Sequence, residues 1–281
     1  MSARLPGVLF ALCLACAPAL AEDAPNPLQN GETWTDLRGD VVGDRELLDG
    51  SALFEVDAPY RAHDAAVVPV RIVQAEGSQE RITRLTIIVD ENPAPVVAEL
   101  EFGPSMGRLE LETRVRVDRY SNVRAIAETA DGRLWMSGRF VKGAGGCSAP
   151  ALKDMEAALA SAGQMRMKLF GLADASAEAV EPAAQSVAGR REAQVMIRHP
   201  NYSGMQRNQI TQLFIPAYFV HELDIYLGDE RLIHMEGGIS VSEDPTFRFS
   251  YDPNGATSFR VQASDTDGGR FEENFPAETA G

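Results

Sequence analysis

The residue with the most chemical potential is Cys147, in the segment Val141-Lys142-Gly143-Ala144-Gly145-Gly146-Cys147-Ser148-Ala149-Pro150. The chain has three cysteines, but Cys13 and Cys16 lie in an apolar N-terminal stretch that reads as an export signal. Removal of that stretch leaves one thiol and no internal disulfide. Glycines at 143, 145 and 146 leave the backbone unshielded and free to turn. Ser148 is a candidate helix N-cap with Pro150 in the first turn. A thiol at that point would meet unsatisfied N–H groups, which favour a thiolate, and Lys142 adds positive charge. Two blander uses stay open: a packed structural cysteine, since free Cys is among the most buried residue types, and an intermolecular disulfide that makes a dimer.

The rest of the chain offers little catalytic equipment. His63, His199, His221 and His234 are scattered without metal-ligand spacing, so no metal and no cofactor is expected. No phosphate-binding loop, Gly-x-Ser-x-Gly elbow or dinucleotide fingerprint occurs. Ile197-Arg198-His199-Pro200, followed by Tyr202, Gly204 and Met205, reads either as a recognition loop or as a strand end with a satisfied histidine. Ser240 to Pro245 reads as a strand end and turn.

The elements that must position Cys147 are mostly strands. Ala66 to Val73, Leu85 to Val89, Val96 to Phe102, Leu109 to Val117, Val123 to Ala127 and Leu134 to Val141 alternate or are β-branched, with turn residues between them. Asp131-Gly132 is the strongest hairpin signal. This spacing suggests an immunoglobulin-like sandwich that ends at Cys147. A helical stripe is then expected from Ser148 through Leu152, Met155, Leu159 and Met165 to Leu169, closed by Gly171. Asp174 to Arg191, rich in Ala, Glu, Ser and Pro, reads as linker. Strand patterns return at Gln194 to Arg198, Gln212 to Ile215, Phe219 to Leu227, Leu232 to Met235, Ile239 to Val241, Thr246 to Tyr251 and Ser258 to Ala263, a second sandwich. Trp34 to Gly50 reads as a short helical or loop entry, and 272–281 as frayed.

Arg4, the apolar run to Leu20 and the small-x-small site Ala19-Leu20-Ala21 predict a signal peptide over 1–21 and a periplasmic protein. A lipid anchor at Cys16 is the weaker alternative. No later stretch is long enough to span a bilayer. The net charge is −15 for the full chain. That argues against nucleic acid, whose binding needs phosphates neutralised by Lys and Arg.

The two halves resemble the two subunits of the SoxYZ sulfur carrier, fused. The first half is similar to SoxY in Ala66-Val67-Val68-Pro69-Val70, in Val89-Asp90-Glu91-Asn92-Pro93-Ala94-Pro95-Val96-Val97-Ala98, in Thr113-Arg114-Val115-Arg116-Val117, and from Ala125 through Asp131-Gly132 to Gly145-Gly146-Cys147. The second half is similar to SoxZ in Ile197-Arg198-His199-Pro200, Gly204, Ile215-Pro216-Ala217, Gly238 to Pro245 and Phe247-Arg248-Phe249. The fused form resembles carriers associated with quinoprotein dehydrogenases.

The resemblance implies two immunoglobulin-like sandwiches: residues 34–147 SoxY-like, 148–191 helix and linker, 192–275 SoxZ-like. It implies a carrier rather than an enzyme, with Cys147 as covalent attachment point for a sulfur-containing intermediate of the thiosulfate-oxidation type. Gly143, Gly145 and Gly146 would be its flexible pivot. The partners implied are periplasmic oxidising enzymes: Sox-type enzymes, or a quinoprotein dehydrogenase with cytochromes. A non-covalent docking module for such a dehydrogenase is the alternative. In SoxY the segment ends the chain, whereas here it is tied at both ends. Half the extended length of residues 142–150 limits its reach to ~13 Å.

Overall fold

A computed structural model describes residues 26–29, 31–150, 155–170 and 189–277. The expected signal peptide, most of the expected linker and residues 278–281 lie outside the described residues. The chain opens with a helix, α1 (Glu32–Val42), and a short strand, β1 (Leu47–Asp49). The first sandwich follows as β2 (Phe54–Asp57), β3 (Val68–Gln74), β4 (Ile82–Val89), β5 (Val96–Phe102), β6 (Glu110–Val115), β7 (Ser121–Thr129) and β8 (Leu134–Val141). After Cys147 come α2 (Met155–Ala160) and β9 (Met165–Phe170). The second half continues with β10 (Arg191–Ile197), β11 (Val220–Leu227), β12 (Glu230–Gly237), β13 (Thr246–Tyr251), β14 (Ser258–Asp265) and β15 (Arg270–Pro276).

The protein is mainly β and immunoglobulin-like in both halves, as the alternation predicts. In β3, for example, Val68, Val70 and Ile72 are fully buried while Pro69 is exposed. The two sandwiches are not merely strung together. Their sheets run on into each other: a nine-stranded sheet in the order β1-β8-β7-β4-β5-β12-β11-β14-β15, and a six-stranded sheet in the order β2-β3-β6-β13-β10-β9. The joins are β5 with β12, from Phe102 opposite Ile233 to Ala98 opposite Gly237, and β6 with β13 at Leu111 opposite Phe249. One apolar core fills the space between the two sheets across both halves. Pairing edge strand to edge strand removes two exposed edges from each half.

A smaller apolar cluster lies on the outer face of the long sheet. Trp34, Val41 and Val42 of α1 cover Ile88, Ile126 and Leu134 there. This explains why β7 is buried on both faces. Arg124 is ion-paired to Asp90 at 2.8 Å under this cover and lies 4.4 Å from the Trp34 ring.

Several local expectations are corrected. The helix after Cys147 does not begin at Ser148 or reach Leu169. Ser148 to Pro150 are not helical, α2 covers Met155–Ala160, and Met165 to Phe170 is a strand antiparallel to β10. Gly163, at φ +83, turns the chain between them. The apolar residues Met165, Met167 and Leu169 fit a period of two as well as a helical stripe, and the edge of β10 decides between them. Gln212 to Ile215 is a loop with one bridge, Arg207 to Phe214, and Ile239 to Val241 is a turn with one bridge, Val115 to Val241. The segment read as frayed contains most of β15, which pairs with β14 from Pro276 to Arg270.

Candidate functional site

Cys147 sits in a turn from Gly145 to Ser148, closed by the Ser148 N–H donating to the Gly145 carbonyl at 3.2 Å. The turn leaves β8 and folds over the end of β6. Gly145 donates its N–H to the Asp118 carbonyl at 2.7 Å, and Gly146 donates to the Val117 carbonyl at 3.1 Å. Gly145 has φ +75, a conformation that a side chain would disfavour. Gly146 is required by space instead: a Cβ there would lie 2.1 Å from the Ala65 carbonyl oxygen and 2.7 Å from that of Val117. Gly143 is packed too, with Val117 Cγ1 3.0 Å from where its Cβ would be. The glycines let the turn lie flat against backbone.

Two residues of the second half close the site. The Ser203 hydroxyl donates a short hydrogen bond to the Cys147 carbonyl. Asn201, at φ +42, presents its carbonyl to Arg116 Nη2 at 3.1 Å, and Arg116 Nη1 donates to the Gly146 carbonyl at 3.0 Å. Asn201 is held in turn by its side chain, whose Oδ1 accepts from the Val220 N–H at 3.1 Å. Asn92 stitches the floor: its Nδ2 donates to the Arg116 carbonyl and to Ser240 Oγ, and its Oδ1 accepts from the Asp118 N–H. The Arg116 N–H itself donates to the Ser240 carbonyl at 2.8 Å. The segments Ile197 to Met205 and Gly238 to Pro245 thus wall the pocket that the Gly-Gly-Cys turn fills. The sandwich carrying Cys147 does not enclose it alone.

The thiol has no exposed surface, whereas Ala144 and Ser148 on either side of it are exposed. Burial, and secondarily the Asp118 carboxylate, push the thiol up from 9.0 to about 12, with Arg116 pulling the other way. The expectation of a thiolate stabilised at a helix start is therefore not met in this arrangement. Ser148 donates its hydroxyl to the Gly145 carbonyl, and Ala149 and Pro150 after it are not helical. Lys142 lies with its ammonium 4.6 Å from the Tyr60 ring.

Arg116 and Asn92 carry no signal in the sequence as site residues. In β6 the inward parity is Leu111, Thr113, Val115, which places Arg116 on the outward side. It is buried because the turn and Asn201 lie over it. His199 supports the wall: its Nδ1 accepts from the Asn201 N–H at 3.1 Å, and its ring centroid lies 4.3 Å from that of Tyr218. Burial holds its pKa below the ordinary value. Among the described residues no histidine is hydrogen-bonded to Cys147. Glu222, Asp224 and His234 come within 4.8 Å of one another on the long sheet. Asp224 there is hydrogen-bonded to His234 at 2.9 Å and lies 3.8 Å from Arg231.

Comparison with known proteins falls on both halves. Residues 38–147 match the family model described as sulfur oxidation protein SoxY, and residues 180–276 match that of sulphur oxidation protein SoxZ. Among solved structures, the sulfur carrier protein SoxY from Chlorobium limicola f thiosulfatophilum is 23% identical, covering 40% of this chain and 96% of its own, with a TM-score of 0.33. A superoxide reductase (neelaredoxin) from Ignicoccus hospitalis is 12% identical, covering 38% and 90%, with a TM-score of 0.28. No curated protein sequence matches the chain.

Proposed function

We propose, from the premise that this chain belongs to the SoxY and SoxZ families in tandem as a fused SoxYZ-like carrier of sulfur oxidation, that Cys147 is its covalent attachment site. One observation carries the reading. The only cysteine among the described residues lies in a turn between exposed Ala144 and Ser148, held mainly by hydrogen bonds rather than by core side chains. Such a turn presents its thiol when those bonds break and hides it when they form. A thiol buried without a neighbouring base is poor equipment for a catalytic nucleophile, which needs an activating group within hydrogen-bond reach. It suits a cargo site that partner enzymes open in turn, so the chain is read as a carrier and not an enzyme.

Loading joins the Cys147 sulfur to a sulfur anion of the thiosulfate type. The new S–S bond forms as the thiol loses its proton and two electrons leave to the oxidising partner. The partner is a periplasmic Sox-type enzyme, or a quinoprotein dehydrogenase with its cytochromes. Gly143, Gly145 and Gly146 act as the pivot on which the turn lifts. Periplasmic residence follows from the export signal read over residues 1–21.

A docking module without covalent cargo is the second reading, favoured by the loop that starts at Ser203. Ile210 is 93% exposed there, with Leu213 and Phe214 also exposed. No Asp or Glu occurs between Arg198 and Glu222 in an otherwise acidic chain. Intact-mass measurement of the native protein, with and without reductant, tests the carrier reading. A reductant-labile mass increment on Cys147 is expected in sulfur-oxidising cells. Unmodified thiol in those cells, together with full pathway activity of Cys147→Ser, would leave only the docking module.

A further inference from the structure

Among the described residues Arg116 has no ion-pair partner, although it is a charged group at the centre of this site. Its side chain is 1% exposed. Its two bonded terminal nitrogens donate to carbonyls, those of Gly146 and Asn201, and its Nε–H has no acceptor. A guanidinium stays protonated in proteins, so this is a buried positive charge. Taking such a charge out of water costs several kcal/mol unless an anion and further hydrogen bonds compensate. Neutral carbonyls satisfy some of its donors and none of its charge. Burial lowers its pKa, and of the groups whose negative charge would oppose this Cys147 comes first, ahead of Glu243 and Asp64, yet Cys147 is held as a neutral thiol. The carbonyl Arg116 holds belongs to the residue next to the thiol. A mere structural clamp would not require a full charge at this point; an amide reaches two carbonyls as well.

We infer that Arg116, clamped between the Gly146 and Asn201 carbonyls beside Cys147, is the counter-charge for an anionic group carried on that sulfur. This rests on the carrier reading and sharpens it: the pocket favours a negatively charged adduct and rejects a cationic one. The free Nε–H supplies the unused donor. The preference runs against the net charge of −15, which at long range repels anions. A local pairing is therefore separable from a general field.

The test is thiol–disulfide exchange at equilibrium on the full purified chain. Equal amounts of the disulfides of 2-mercaptoethanesulfonate and of cysteamine are offered together with their thiols. The ratio of the two adducts on Cys147 is read by intact mass. The same chain unfolded in urea is the reference. The folded protein is expected to favour the sulfonate adduct about tenfold over the unfolded one, the effect of one pKa unit of charge interaction. Arg116→Gln is expected to abolish the preference, and Arg116→Lys to keep most of it. Equal ratios in folded and unfolded wild type overturn the assignment, whether or not the glutamine variant folds. So does a sulfonate preference that survives Arg116→Gln. The cellular mass measurement is independent of this one: a carrier with modified Cys147 and no charge preference sinks only Arg116. A charge-selective thiol that never bears cargo in cells sinks the carrier.

Discussion

Removing the hydroxyl of Ser203 should open the Cys147 turn while leaving the fold in place. Five hydrogen bonds tie the turn to its surroundings: from Gly145, Gly146 and Cys147 N–H groups to Asp118, Val117 and the Asp118 carboxylate, from Arg116 to Gly146, and from Ser203 to Cys147. At about 1 kcal/mol net apiece they contribute roughly 5 kcal/mol. Releasing residues 144–147 returns about 1–2 kcal/mol of backbone entropy per residue, or roughly 4–8 kcal/mol in all. The opposing sums lie within a few kcal/mol, so one bond matters. Ser203→Ala leaves the Cys147 carbonyl buried and unpaired only while the turn is closed, because water satisfies it once open. That penalty of about 1–3 kcal/mol raises the open population about 5- to 150-fold. The Ser203 hydroxyl also accepts from the Met205 N–H at 3.2 Å, a loss that falls on both states alike. The assay is alkylation of Cys147 by iodoacetamide at pH 8, followed by mass spectrometry, with reagent slow enough that the rate follows the open fraction. The variant should react at least fivefold faster than wild type. A ratio within twofold, or a wild-type rate equal to that of the urea-unfolded chain, would refute the closed turn as described.

Gly146→Ala should hold the turn open permanently, because its Cβ would meet two backbone oxygens, at 2.1 and 2.7 Å, that cannot step aside. Cys147 should then alkylate at the rate of a free thiol with the core strands still protected from hydrogen exchange; a thiol that stays inert would sink this. Alkali should weaken the fold through Cys147. The native thiol, pushed from 9.0 to about 12, keeps a proton that the unfolded chain loses above pH 9. The unfolded state binds fewer protons there, so stability falls as pH rises, by up to about 1.4 kcal/mol per unit. Urea titrations between pH 9 and 10, before most tyrosines ionise, should show this slope in wild type and a shallower one in Cys147→Ser. Equal slopes would show that the thiol is not buried as a neutral group.

Most of the strands are legible because period two survives wherever one face meets the core and the other meets solvent. β3, β10 and β14 show it, with every second residue buried over most of their length. The failures share a cause. Met165, Met167 and Leu169 satisfy both periods, and only the open edge of β10 selects the strand. Ile210, Leu213 and Phe214 are apolar without being buried, so composition alone suggests a strand where a loop stands. The sequence singles out the thiol, but not its burial. Glycine reads in sequence as freedom, yet at Gly146 it marks the closest backbone approach in the site. Arg116 is invisible for a related reason: strand parity points it outward, and a segment thirty residues on covers it.

The continuity of the two sheets gives the site its dependence on both halves. Were the sandwiches joined only by the chain, Cys147 could be stowed against its own half alone. Instead β5 pairs with β12 and β6 with β13, which brings Ser240 to the Arg116 N–H and Asn201 to its guanidinium. The register of those pairs therefore sets the depth of the Cys147 pocket. A substitution at the seam, far from the sulfur, changes the site if it shifts that register, whereas one in the outer strands β1 or β15 does not. The same arrangement suits a segment tied at both ends. A free arm reaches its partner by length; a tethered turn with a reach of ~13 Å must instead be uncovered where it lies. Its cover is the Ser203 hydroxyl and, through Arg116, the Asn201 carbonyl of the second half, and the loop that exposes Ile210, Leu213 and Phe214 begins at Ser203. Contact with that loop is contact with the catch on Cys147.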